Sequence, residues 1–489
     1  MAGPHRTSLA EEAEAQRAWR VRPGCAPSGV PDRLVAHEFA APSAIAAGQW
    51  QSLQRLVAFC AAQVPYYRSL FRRIGLSPAA LGAPDDLRRL PMLTKSEVQA
   101  RSDELRAAQL PPGQRAAGIS ATSGSTGQPV TVHQSSVSVQ MFSLLKQREY
   151  RWFRWDPLAV QAALRPARDL PPGAAGQAIG LGERCGLDRW HRIDPVLLTG
   201  PFYGFQRANP IDAQKQFLAE VRPAYLVAQP ADLEHLALAY QREAPPDSLR
   251  GLLGVAQELT EGMRAIIETS LGVPLHQNYG LNEVGLVACR CPEAGRYHVH
   301  AEHCLVEIVD EDDRPCRPGE RGRLLVTALN NAAMPLLRYD TDDLAEAVEG
   351  PCPCGRTLPS FGRILGRYRR TVGLPPGSFE RVIAVQHALK DMPPEIGGDL
   401  RQYQLHQYRE GPWELRVVSA APLPEAFDER LQRAWAEMRI GSPALLRIRR
   451  VAEIPRPPGG KFQDFTSDYM PERGASPEVS PAGPGDPGS

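Results

Sequence analysis

Short apolar runs alternate with helical stretches between about Ser120 and Ala345, and this alternation constrains the fold more than any other feature of the sequence. The runs AYLVAQP, GLLGVAQ, HCLVEIVD and GRLLVTALN have the length and apolar character of strands, whereas PIDAQKQFLAEV and TEGMRAIIETSLG carry apolar residues at helical spacing. Strands that alternate with helices predict a large, multi-layer α/β domain with a mostly parallel sheet.

The regions on either side of this core have different patterns. Residues 49–71 carry apolar side chains at helical spacing, and Thr94 is a candidate N-cap for a second helix. A helical entry region is therefore predicted to precede the sheet. After Gly366 the sequence predicts a helix, two strands, a second helix and a third strand. We therefore expect a large N-terminal domain over residues 1–365, a small mobile C-terminal α+β domain over 366–470, and a disordered Pro-, Gly- and Ser-rich tail over 471–489.

The charge balance narrows the class of partner. The 489 residues carry a formal net charge of +1, which gives no overall field to attract nucleic acid or an anionic membrane. The sequence also lacks an apolar stretch of about eighteen residues, and its first twenty or so residues lack the apolar core of a signal peptide. We expect a cytoplasmic protein whose partner is a small molecule.

The stretch ISATSGSTGQPVTVHQ, from Ile119 to Gln134, has the composition of a phosphate-binding loop. Glycines let the backbone approach a ligand, and hydroxyl and main-chain N–H groups donate to phosphate oxygens. A flexible linker is the alternative interpretation, and the loop is not a Walker A motif. The candidate phosphate-binding residues are Thr122, Ser123, Gly124, Ser125, Thr126 and Gly127.

The cysteines fall partly into two clusters that suit a metal. CRCPEAGRYHVH is followed about sixty residues later by CPC, and thiolate and imidazole together suit Zn²⁺ in a closed tetrahedral structural site. Buried thiols without a metal are the alternative.

Five motifs occur in order: TSGSTGQP, NYGLNEVG, MPLLRYDTDDL, GRILGR and GGK. This series resembles that of the acyl-adenylate-forming superfamily, and its phenylacetate-CoA ligase branch is the most similar. The resemblance implies that ATP and Mg²⁺ convert a carboxylic acid, aryl or small, into an acyl-AMP, and that the acyl group then passes to a thiol, CoA being expected. Transfer to a carrier protein or an amine, and a non-catalytic nucleotide-binding relative, are the alternatives; a homodimer is left open.

The resemblance also assigns roles to single residues. Tyr279 would stack on adenine, Glu283 would hold Mg²⁺, and Asp343 would accept hydrogen bonds from the ribose hydroxyls. Arg367 would lie by the ribose or phosphate. Lys461, on a Pro- and Gly-rich loop, would stabilise the charge that develops as pyrophosphate leaves, so Lys461 and Glu283 are the candidate catalytic residues.

Asp340 and Asp342, which flank the ribose motif, are expected to be solvated. The zinc ligands implied by the family pattern are Cys291, His298, Cys352 and Cys354, with Cys289 and His300 as competing choices.

Three positions depart from the family pattern. Gln128 replaces a usual lysine in the phosphate loop, and Gln257 replaces a common acidic residue. Tyr368-Arg369-Arg370 stands where two aspartates commonly form the hinge. These changes put ATP affinity and the approach of the acceptor thiol in doubt.

Overall fold

The computed structural model describes residues 20, 30–121, 130–173, 177–194, 196–241, 243–257, 259–367, 392–436, 445–454 and 465–469, together with five residues between 381 and 389. These residues fall into two compact units, one ending with the GRILGR strand and one lying C-terminal to it. The hinge at 368–370 and the tail at 471–489 lie outside the described residues, so the predicted domain boundary and disordered tail stay predictions.

The larger unit contains helices and strands in alternation. Its helices are α1 (Val30–His37), α2 (Pro42–Gln63), α3 (Pro65–Arg73), α4 (Lys95–Ala100), α5 (Ser102–Leu105), α6 (Ser136–Trp152), α7 (Ile211–Val221), α8 (Pro230–Ala239) and α9 (Glu261–Leu271). Its strands are β1 (Ala116–Ala121), β2 (Thr131–Ser135), β3 (Gln161–Arg165), β4 (Arg184–Leu187), β5 (Phe202–Gln206), β6 (Tyr225–Ala228), β7 (Gly251–Gly254), β8 (Leu275–Leu281), β9 (Gly285–Arg290), β10 (Tyr297–Val299), β11 (Cys304–Val309), β12 (Arg321–Ala328), β13 (Tyr339–Ala347) and β14 (Ser360–Arg367).

Twelve of these strands form one sheet in the order β11-β12-β13-β14-β10-β9-β8-β7-β6-β3-β5-β4. The prediction of an α/β fold is confirmed, but the sheet is parallel only across β8-β7-β6-β3-β5. Helices α7, α8 and α9 provide the long crossovers that parallel neighbours require. Strands β8 and β9 are joined by a turn of three residues, which permits only antiparallel pairing.

The parallel part of the sheet is covered on both faces. Alternate side chains of β3 enter different apolar clusters: Ala162 and Leu164 pack with residues of α7, α8 and α9, and Ala163 packs with Tyr150 of α6. Helix α6 therefore lies on the face opposite the three crossover helices. The residues that follow the carboxyl ends of these strands share one edge of the sheet.

The predicted helical entry region is confirmed by α2, α3 and α4. Thr94 caps α4: its hydroxyl accepts a hydrogen bond from the Glu97 amide, and the Glu97 carboxylate accepts one from the Thr94 amide at 2.9 Å. This reciprocal pair satisfies N–H groups that the first helical turn leaves without partners. No helix of the described chain is long and apolar enough to cross a membrane.

The smaller unit contains one four-stranded sheet, ordered β17-β16-β15-β18. Its elements are α10 (Pro394–Gly397), β15 (Leu400–Gln407), β16 (Trp413–Ser419), α11 (Glu425–Ala436), β17 (Leu446–Arg450) and β18 (Phe465–Ser467). Phe427 and Leu431 of α11 pack on Leu415 and Val417 of β16, and all four side chains are fully buried. The predicted strand–strand–helix–strand order after residue 400 is confirmed.

A buried cluster of charges fixes α6 in the larger unit. The Glu38 carboxylate, fully buried after α1, lies 3.0 Å from Arg148 Nε and 3.2 Å from both Arg151 Nη2 and Arg356 Nε. It also accepts a 2.8 Å hydrogen bond from Trp152 Nε1. One carboxylate thus compensates part of the charge of three buried guanidinium groups, which would otherwise be costly to desolvate.

We expect Glu38→Gln to lower the free energy of unfolding of the larger unit by about 3–5 kcal/mol, because it leaves buried guanidinium groups without their shared counter-charge. Chemical denaturation monitored by tryptophan fluorescence measures this change. Glu349→Gln, at an exposed position of the same unit, is the matched control and should change stability by less than about 0.5 kcal/mol. A Glu38→Gln protein as stable as this control would contradict the role of the cluster.

Candidate functional site

The turn between β8 and β9 brings two of the predicted site residues to the carboxyl edge of the parallel strands. Tyr279 lies near the end of β8, and Glu283 lies in the turn; each side chain is 8% exposed. Glycine is required here because a Cβ on Gly280 would lie 2.9 Å from the Gly285 carbonyl oxygen, and Gly285 has φ +100°. The two glycines allow β8 and β9 to approach closely at the site.

Two hydrogen bonds join this turn to β13. The Tyr279 hydroxyl donates to Asp343 Oδ2 at 2.7 Å, and the Tyr339 hydroxyl donates to Glu283 Oε1 at 3.0 Å. Burial and the neighbouring Glu283 charge raise the pKa of Tyr339 well above its usual range, so its hydroxyl stays protonated and remains a donor. The structure therefore places Tyr279, Glu283 and Asp343 together.

The expectation that Asp340 is solvated is wrong. Its side chain is 2% exposed and forms an ion pair with Arg323 of the neighbouring strand β12. A buried guanidinium next to this position explains why a carboxylate is buried there. Asp342 is partly exposed, with φ +60°, and its amide donates to Asp340 Oδ1 at 3.1 Å.

Several predicted site residues lie outside the described residues: Thr122, Ser123, Gly124, Ser125, Thr126, Gly127, Gln128 and Lys461. The segment that contains the first seven connects β1 and β2, which pair antiparallel with Ala121 opposite Thr131. Arg367 ends β14, and its Cα pairs with that of Asp343 on β13. The backbone thus places residue 367 beside Asp343, the residue predicted to bind the ribose.

Helix α6 contributes a contact that the sequence analysis missed. Glu149 is fully buried and accepts hydrogen bonds from Asn278 Nδ2 at 2.7 Å and from the ring of His300, whose Nε2 lies 3.1 Å away. Asn278 directly precedes Tyr279, so Glu149 positions the backbone next to Tyr279. The only signal in the sequence was a charged residue, Glu149, one turn from apolar residues of α6. Such a pattern does not show which residue Glu149 bonds to.

The four predicted zinc ligands converge. Cys291 follows β9, His298 lies on β10, and Cys352 and Cys354 lie between β13 and β14; β10 pairs with both β9 and β14. Their ligand atoms all lie within 4.8 Å of one another, and all four residues are buried. Cys291 Sγ lies 3.7 Å from Cys352 Sγ, and Cys354 Sγ lies 3.3 Å from His298 Nε2.

The competing ligand choices point elsewhere. The Cys289 thiol lies 3.9 Å from the Gln277 carbonyl oxygen, and His300 is bonded to Glu149. Burial raises the pKa of the Cys289 thiol well above its usual range.

A shallow cleft of about 410 Å³ lies between α7 and α8, away from these clusters. Its charged residues Arg207 and Asp232 bind each other through bidentate hydrogen bonds of 2.8 to 3.1 Å. This mutual pairing is typical of a structural contact, so we place the functional site at the β8–β9 turn.

Known proteins resemble this chain over most of its length. The phenylacetate-coenzyme A ligase of Thermus thermophilus is 30% identical over 393 residues, covering 76% of this chain and 81% of that protein. The phenylacetate-coenzyme A ligase of Escherichia coli is 29% identical over 342 residues, covering 68% of this chain and 72% of that protein. No family model matches the chain.

Among solved structures, 2-hydroxyisobutyryl-CoA ligase in its postadenylation state, in complex with R3-HIB-AMP, has the same fold. The TM-score is 0.65 at 17% identity, over 88% of this chain and 91% of that chain. The fold and the sequence relatives define the class, which is that of the acyl-adenylate-forming enzymes. Within it, the chain belongs to the phenylacetate-coenzyme A ligase family of acid–thiol ligases.

Proposed function

We propose that this protein activates a carboxylic acid with ATP to an acyl-AMP and then transfers the acyl group to the thiol of CoA. A carboxylate oxygen attacks the α-phosphorus, and the bond to pyrophosphate breaks. The thiolate sulfur then attacks the acyl carbon, and AMP leaves. The convergence of Tyr279, Glu283 and Asp343 at one edge of the sheet, in a chain of this family, carries the proposal.

The contact between Tyr279 and Asp343 supports their assignment to the nucleoside. A base and its ribose are adjacent, as are the Tyr279 ring and the Asp343 carboxylate, which are joined by a 2.7 Å hydrogen bond. A carboxylate accepts several hydrogen bonds, so this bond is compatible with acceptance from ribose hydroxyls. The Arg367 position, opposite Asp343, suits contact with the ribose or phosphate.

Glu283 suits a divalent cation. Its buried carboxylate is oriented by the Tyr339 hydroxyl, and an oxygen ligand held in this way is typical of Mg²⁺ sites. When bound there, Mg²⁺ would neutralise phosphate charge. The loop residues Thr122 to Gly127 would donate to the phosphates, and the segment connects two strands whose ends are adjacent.

We also propose a closed structural Zn²⁺ site at Cys291, His298, Cys352 and Cys354. Three thiols and one imidazole are a complete tetrahedral ligand set, and their convergence in a buried position supports the assignment. Such a site would hold the loop between β13 and β14 against β9 and β10.

The acceptor and the setting are further parts of the proposal. CoA is the acceptor we favour over a carrier-protein thiol or an amine, because the relatives are named as coenzyme A ligases. A cytoplasmic location stays a prediction, and a homodimer stays open.

Pyrophosphate release tests the function directly. We expect release with members of a panel of aryl and small aliphatic acids, and an acyl-CoA product only when CoA is added. Glu283→Gln should slow release roughly 100-fold or more, because loss of one carboxylate charge weakens the cation site. Glu311→Gln, at an exposed position, is the matched control. Wild-type release by Glu283→Gln would remove this residue from the mechanism.

Lys461 tests the role of the C-terminal unit. We expect Lys461→Ala to slow acyl-AMP formation about 100-fold or more with little change in ATP affinity, because its charge acts mainly in the transition state. Thioester formation from presynthesised acyl-AMP should be much less affected, as the resemblance implies that the lysine leaves before the thiol attacks. Lys390→Ala serves as the control, and equal losses in both half-reactions would contradict the two-state mechanism.

The zinc site has an independent test. Purified protein should contain close to one zinc per chain by elemental analysis, and Cys352→Ser should lose the metal. Because metal binding is coupled to folding, the melting temperature should fall by about 5 °C or more. Cys316→Ser, at a partly exposed thiol outside the cluster, should retain both. The site would be ruled out if the wild-type protein contained no zinc and melted at the same temperature as Cys352→Ser.

A further inference from the structure

Helix α6 runs antiparallel to β8, so its first turns lie at the edge of the sheet that carries the candidate site. Near its start, the Phe142 ring lies 3.6 Å from where a Cβ on Gly285 would be. Just after its end, Phe153 stacks on His276 near the start of β8, with ring centroids 4.0 Å apart. Side chains on α6 lean towards the helix N-terminus and therefore towards this edge.

Lys146 lies on the face of α6 that packs on the sheet. Its ammonium group lies 5.3 Å from the Tyr150 ring centroid and 6.0 Å from the Phe142 ring centroid. Its Nζ lies 3.5 Å from the His191 carbonyl oxygen. The residue as a whole is partly exposed, and its ammonium group is surrounded by protein.

Two arginines face the same region. Arg165 ends β3, and alternation along the strand places it on the face of Ala163, which is the face that α6 covers. Arg192 lies over the Phe142 ring at 6.0 Å. The acidic groups whose charges favour these cations have other partners: Asp169 and Asp232, near Arg165, pair with Arg168 and Arg207. Glu149, near Lys146, is bonded to Asn278 and His300.

The electrostatics of this cluster are those of an anion site. Burial, then the Arg192 and Arg165 charges, lower the pKa of Lys146 to about 7, against the opposing effect of Glu149. Burial and the same three cations lower the pKa of His191 to about 3. An anion bound among these cations would offset their mutual repulsion and the cost of desolvating them.

The position of the cluster separates it from the nucleotide. Asp343 lies on β13, on one side of β8 in the sheet order, whereas Arg165 ends β3, on the other side. Strands β8 and β3 are three strand spacings apart, or about 14 Å. We therefore expect the part of the acid remote from its reacting carboxylate to extend from β8 along α6 towards the cluster.

We propose that Lys146, Arg165 and Arg192 bind a second carboxylate of the acid, so that the preferred substrates are dicarboxylic acids with an aromatic or short aliphatic spacer. This inference rests on the proposed function and specifies its substrate class. Charge-assisted hydrogen bonds from lysine and arginine favour a carboxylate over the neutral group of a matched monoacid. Phe142, which is partly exposed, supplies apolar surface for the spacer.

The test compares matched acids in the pyrophosphate-release assay: benzoate with isophthalate and terephthalate, phenylacetate with 4-carboxyphenylacetate, and butyrate with glutarate. In the wild-type protein we expect kcat/KM for at least one diacid to exceed that of its monoacid about tenfold or more. Lys146→Met, which keeps the length of the side chain, should lower this ratio about tenfold or more without changing the KM for ATP.

Two further variants keep the test decisive. Arg192→Gln, at an exposed position, should also lower the ratio and decides the matter if Lys146→Met does not fold. Lys215→Met is the control: Lys215 lies on α7 and pairs with Glu243, so its loss should leave the ratio unchanged.

The outcomes separate this inference from the proposed function. Equal or better turnover of monoacids in every pair, or a ratio unchanged in both test variants, would overturn the diacid site. A rise in the KM for ATP in place of a changed ratio would assign the cluster to a phosphate and overturn it as well. Absence of pyrophosphate release with every acid would instead contradict the adenylating activity.

Discussion

Two hydrogen bonds between the β8–β9 turn and β13 hold the candidate site together. Tyr279 and Asp343 form one pair, and Tyr339 and Glu283 form the other, so an aromatic donor from each segment is bonded to a carboxylate of the opposite segment. Each bond orients a carboxylate, and the one to Glu283 also offsets part of the cost of burying that group. The geometry proposed for nucleoside and cation binding depends on this exchange, because neither segment alone brings the two carboxylates together.

Helix α6 connects this centre to the rest of the larger unit. Through Glu149 it positions Asn278 beside Tyr279, and through Arg148 it is anchored to the buried Glu38. Trp152, at its end, packs edge-on against His298 of the proposed zinc site, with ring centroids 5.8 Å apart. A single helix therefore contacts the strand that carries Tyr279, the proposed zinc site and the proposed second-carboxylate site at Lys146.

Much of this arrangement could be predicted from sequence, because motifs and strand patterns are local. The Thr94 cap and the strand runs are examples. A third is the predicted ligand set, whose members the structure brings together: Cys291, His298, Cys352 and Cys354. The antiparallel half of the sheet was not predicted, because apolar runs do not reveal which strands pair. Asp340 was misplaced and Glu149 missed for a related reason: their partners, Arg323 and Asn278, come from other strands, and sequence spacing does not encode such pairs.

Transfer of isotope from the acid to AMP tests the central claim, acid activation through an acyl-AMP, most directly. An acid labelled with ¹⁸O in both carboxylate oxygens is incubated with the protein, ATP, Mg²⁺ and CoA, and the nucleotide products are analysed by mass spectrometry. Because a carboxylate oxygen forms the bond to the α-phosphorus and remains with it when the thiol attacks, one ¹⁸O should appear in each AMP. Unlabelled nucleotide, with the label in inorganic phosphate and ADP as the product, would show activation through an acyl phosphate and contradict the account.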